Sequence, residues 1–97
     1  MSKHLPRKQR WAQASSTRYV SALGTVVYQE RAWFGVLEYR TAAFDECQLP
    51  VWTAHTLRLG PYKRPRNAMV ELEREVTALR NTHGKNVLFG QEIWAEQ

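Results

Sequence analysis

The chain has 97 residues, 14 of them Lys or Arg against nine Asp or Glu, for a net charge of +5 and a pI near 9.8. That length holds one domain with a modest core. A single cysteine, Cys47, excludes an intrachain disulfide framework, and no apolar run is long enough to cross a bilayer as a helix. The positive charge favours acidic partners, nucleic acid first and an anionic membrane or an acidic protein second; of these, nucleic acid or an acidic protein is expected and no membrane partner. The lone thiol agrees with a reducing, cytoplasmic setting.

Residues 1–17 carry Lys3, Arg7, Lys8 and Arg10 with no acidic side chain and no periodicity, so they read as a flexible basic arm. Its start, MSKHLPRKQR, lacks the apolar centre of a secretory signal. Such an arm suits phosphates, and Trp11 is the one residue in it that suits docking back onto the domain.

Arg18–Gln29 is rich in β-branched and aromatic residues and reads as one strand, with Gly24 marking a bulge or a close approach. Glu30-Arg31-Ala32 forms a short turn into a second strand, Trp33–Thr41. Alternation sets Trp33, Gly35, Leu37 and Tyr39 on a buried face and Phe34, Val36, Glu38 and Arg40 on the opposite one. Residues 42–50 read as a loop with an acidic tip at Asp45 and Glu46, and Val51–Leu59 as a third strand. In that strand Trp52, Ala54, Thr56 and Arg58 share the face away from Leu57 and Leu59.

A basic turn, Lys63-Arg64-Pro65-Arg66, leads into a helix that Pro65 can open and Gly84 can stop. Ala68, Met69, Leu72, Val76 and Leu79 form its apolar stripe. Asn86–Gly90 is a short apolar segment suited to packing under the helix end, and residues 91–97 read as a tail. The expected fold is therefore α+β: three antiparallel strands and one C-terminal helix (β-β-β-α) over residues 18–90, with one sheet face left open.

The order of elements and the stretch LGPYKRPRNAMVELEREVTALRNTHGKNVLF resemble the plant ethylene-response-factor domain and its relatives in phage integrases and homing endonucleases. The likeness rests on Leu59-Gly60, Pro61, Tyr62, Ala68, Glu73-Arg74, Val87-Leu88-Phe89 and, in the second strand, Glu38-Tyr39-Arg40. It implies a three-stranded sheet that enters a DNA groove, with contacts at the positions of Glu38, Arg40, Thr56 and Arg58. Glu38 and Arg40 match in residue type, whereas Arg58 stands where a Trp is usual and Thr56 where an Arg is usual.

These lines converge on a small nucleic-acid-binding module, with DNA favoured. Lys8, Arg10, Lys63, Arg64 and Arg66 would neutralise phosphates, and Arg40 and Arg58 would make contacts from the open face beside Phe34, Glu38, Trp52 and Thr56. The alternative is a protein-interaction module, a homodimer or a phage-type inhibitor, that uses Phe34, Val36, Trp52 and Ala54 as an apolar patch. No enzyme is expected. His55 reads as a packed or hydrogen-bonded strand residue, and Cys47 lies beside Glu46, a poor setting for a nucleophile. Asp45, Cys47, His55 and His83 lack zinc-ligand spacing, and no glycine-rich loop is present to cradle a phosphate, so no metal or cofactor is expected.

Overall fold

A computed structural model describes residues 11–91 and 93. The strands are β1 (Ala12–Ser15), β2 (Arg18–Val20), β3 (Thr25–Gln29), β4 (Ala32–Phe44), β5 (Pro50–Tyr62) and β6 (Val87–Phe89), and one helix, α1 (Pro65–His83), stands between β5 and β6. All the pairings are antiparallel, in the order β1-β2-β3-β4-β5. β6 abuts the same edge of β4 as β3 does, further along the strand, with Tyr39 opposite Phe89.

The three-stranded sheet expected from the sequence is thus a six-stranded one with two longer central strands, and four local differences account for it. The stretch 18–29 is two strands, because Ser21 closes a turn within it. Its Oγ accepts hydrogen bonds from the Leu23 and Gly24 backbone N–H groups, at 3.2 Å each. Gly24 is the close approach that its position suggested, since a Cβ there would lie 2.8 Å from the Val36 carbonyl oxygen. Secondly, the expected loop 42–50 shrinks to residues 45–49. β4 and β5 continue pairing to Phe44 opposite Pro50, and Asp45 Oδ1 accepts from the backbone N–H groups of Cys47 and Leu49. Finally, the segment after the helix joins the sheet as β6. Part of the expected arm is also sheet: β1 lies within residues 1–17 and pairs with β2.

The helix matches the reading from sequence. Pro65 opens it, and the Gly84 N–H caps the Arg80 carbonyl. Nineteen residues span about 28 Å. Ala68, Leu72 and Val76 are buried against the sheet face that carries Gly35 and Leu37. Leu37, Leu72, Val76, Val87 and Phe89 form the core, and Trp11, Leu23, Tyr39, Leu57, Leu59 and Leu79 pack around it. Trp11, whose docking the sequence left open, packs beside the core and donates Nε1–H to Glu73 Oε2 at 2.7 Å. His55 is hydrogen-bonded to Thr41 Oγ1 at 2.9 Å and stacked on Tyr39.

The β3–β4 hairpin turns through Glu30 and Arg31, both with positive φ (53° and 66°) and with Gln29 paired to Ala32. Two successive left-handed residues make the turn that Asn-Gly fills at least cost. The double substitution Glu30→Asn/Arg31→Gly is expected to stabilise the domain by about 1 kcal/mol, raising Tm by about 4–8 °C. A thermal melt that moves downward would show that Glu30 or Arg31 makes a contact that outweighs the relief of strain.

Candidate nucleic-acid interface

Strand register assigns the second sheet face. Arg18 is paired to Val27, Val27 to Phe34, Val36 to Arg58, Glu38 to Thr56, Arg40 to Ala54 and Ala42 to Trp52. Directly opposed residues project to the same side. The face away from α1 therefore carries Arg18, Phe34, Val36, Glu38, Arg40, Ala42, Trp52, Ala54, Thr56 and Arg58. Three cations and one carboxylate share it.

Arg58 lies with its guanidinium 3.9 Å from the Phe34 ring centroid, and its Nη2 donates to Gln29 Oε1 at 2.9 Å. The contact holds the guanidinium over the Phe34 ring, and one of its donors is committed to Gln29. Arg40 is half-buried between Ala54 on β5 and Leu88 on β6. Arg18, Val36, Glu38, Arg40, Ala54 and Thr56 contribute to an open groove of about 480 Å³, walled by the Ser21–Gly24 turn and by Gly90, Gln91 and Ile93. Among the described residues the ion pair present is Arg74–Glu71, on the helix, so neither Arg18, Arg40 nor Arg58 is neutralised by a carboxylate there.

A second cationic group stands at the helix start. Lys63, Arg64 and Arg66 are all exposed. Arg64 is the N-cap residue, its side chain makes no capping hydrogen bond, and no acidic residue occupies the first turn. The free backbone N–H groups and the positive end of the helix dipole therefore face the same solvent as three cations. A helix optimised for stability would place Ser or Asp there. Beside it, burial pushes the Tyr62 phenol above its usual range, Glu71 adds to the rise and Arg74 opposes it, so Tyr62 keeps its proton and adds no negative charge.

Of the residues singled out from sequence, Phe34, Glu38, Arg40, Thr56 and Arg58 do share one face. Lys63, Arg64 and Arg66 form a separate cluster beyond the β5 end. Trp52 lies on the same face but out along the part of the β4–β5 hairpin that extends past β6, and it is 39% exposed. Lys8 and Arg10 lie outside the described residues. Arg18 was missed: it joins the face only because the Ser21 turn folds β2 back beside β3, and the Ser-Ala-Leu-Gly stretch was the one signal available. Among the described residues no helix is long and apolar enough to cross a membrane, and no group of three His, Cys, Asp or Glu is placed to hold a metal ion. No protein-family model, curated protein or solved structure matches the chain.

Proposed function

We propose that the chain binds nucleic acid, duplex DNA in preference, through the sheet face opposite α1 and the basic start of that helix. The observation that carries this reading is the trio Arg18, Arg40 and Arg58 on one pleated surface, without carboxylate partners among the described residues. Guanidinium groups held against a sheet suit bidentate contact to phosphate or to a guanine edge. Lys63, Arg64 and Arg66 add phosphate neutralisation beyond the end of β5. The resemblance of Glu38-Tyr39-Arg40 and of the helix stretch to sheet-reading DNA-binding domains points the same way. So does the net charge of +5.

The test is a titration of labelled duplex by fluorescence anisotropy at two salt concentrations, for the wild type and for Arg40→Ala and Arg58→Ala. Wild-type affinity should fall steeply with salt, and each substitution should weaken binding by roughly tenfold, the value of a good bidentate contact. Binding that ignores salt, or that both alanines leave unchanged, would remove the face from consideration.

A second reading, attachment to a protein, has its own observation. Phe44 is 55% and Trp52 39% exposed on the projecting hairpin, side by side on the open face. Retention of a partner after Arg40→Ala but not after Trp52→Ala would favour it.

A further inference from the structure

The two outer edges of the sheet are treated differently. β1 is four residues long, wholly exposed, polar or small throughout, and its ladder shifts register between Gln13 and Ser15. A short, irregular edge of that kind resists further pairing. β5 is 13 residues long and, among the described residues, pairs only with β4. Its prolines, Pro50 and Pro61, stand at the two ends, and between them Val51–Leu59 runs without a bulge against β4. Arg58 is the one residue in that run with a fixed charge.

The hydrogen-bond phase shows which backbone groups are left over. Asp45 N–H donates to the Leu49 carbonyl, Ala42 N–H to Asn86, and Gly90 N–H to Glu38. Even-numbered β4 residues thus face β6, and odd-numbered ones face β5. By the register, Trp52, Ala54, Thr56 and Arg58 present their N–H and C=O groups outward from the sheet.

The occupant is set by charge. The turn before β5 carries Asp45 and Glu46, and the turn after it and the first turn of α1 carry Lys63, Arg64 and Arg66. One strand with an acidic entrance and a basic exit is complementary to itself when antiparallel. We propose that β5 is a self-pairing edge: two copies join their β5 strands antiparallel about a two-fold near Thr56, the midpoint of Pro50–Tyr62. The acidic turn of each copy then meets the basic run of the other, twice by symmetry. Opposed residues share a side, so the pair forms one continuous sheet with both helices on one face and both Arg18–Arg40–Arg58 surfaces on the other.

The experiment measures the molar mass of the full chain by sedimentation equilibrium across a concentration series, without nucleic acid. The expected species has twice the 11.3 kDa chain mass. Thr56→Pro removes an outward N–H and no bond of the β4–β5 ladder, so it should yield a monomer with an unchanged far-ultraviolet spectrum. Glu46→Lys should raise the dimer dissociation constant at least about tenfold, and Glu46→Lys/Arg64→Glu should restore it. That pair of variants decides the matter if Thr56→Pro does not fold. A wild type that stays monomeric at its highest soluble concentration overturns the proposal. So does a dimer indifferent to both Thr56→Pro and Glu46→Lys, or one dissolved by Phe34→Ser alone, which would place the contact on the open face. Because the readout involves no nucleic acid, this result and the binding titration fail or succeed separately.

Discussion

Phe89→Ala is expected to cost about 3–5 kcal/mol, the range for emptying a fully buried aromatic site, and to lower Tm by on the order of 20 °C. Phe89 is completely inaccessible and sits in the core with Leu37, Leu72 and Val76. Its ring lies 5.9 Å from that of Tyr39, and the Arg80 guanidinium is 5.2 Å from its centroid. Neighbours on β4, on the helix and on β6 thus lose contacts together, and the walls of such a site are too constrained to close on the space. A domain of this size is stable by only about 5–15 kcal/mol, so the loss is a large share of the total. The control is Leu88→Ala, one residue away on the opposite face and half-buried, where about 1 kcal/mol is expected. Urea titrations of both variants check this. Equal losses would mean that β6 is not inserted along β4 with Phe89 inward.

That strand also shows where reading the sequence stops. A 3.6-residue period over 19 residues is a strong signal, so the helix and its buried Ala68, Leu72 and Val76 were legible. Alternation through Trp33–Tyr39 and Val51–Leu59 was legible for the same reason, and the pattern alone places Arg40 and Arg58 on a common face. Val87–Phe89 is too short to show any period. Its partner, Thr41–Tyr39, lies more than forty residues earlier, and a pairing that distant leaves no local trace. The β4 extension was hidden by Ala42 and Ala43, small residues that look like loop but pair as strand. In the first segment, apolar character runs through Ala22 and Leu23, and a serine side chain closes the turn rather than an Asn-Gly or Pro-Gly pair. The error there had a functional consequence, because Arg18 could be assigned to the basic face only once β2 was seen to fold back.

Replacing Lys63, Arg64 and Arg66 together by alanine should lower duplex affinity by roughly 10²–10³-fold at 0.1 M salt and reduce the slope of log K against log salt by about 2.7, if each neutralises one phosphate. The loss should be similar for unrelated duplex sequences, since phosphate contacts position the protein and carry no base information. Unfolding cannot imitate it. All three side chains are exposed, and Arg64 makes no capping bond that alanine would remove. Arg64→Asp sharpens the point, because a carboxylate at the N-cap accepts from the free N–H groups and suits the dipole. Stability of the monomer, measured at a concentration too low for the proposed pairing of copies, should rise by about 1 kcal/mol while affinity falls. Opposite signs in one variant are what a residue kept for its charge, at the expense of the helix, must give. If Arg64→Asp raises Tm and leaves affinity unchanged, the helix start plays no part in binding, and the remaining case for nucleic acid rests on Arg18, Arg40 and Arg58 alone.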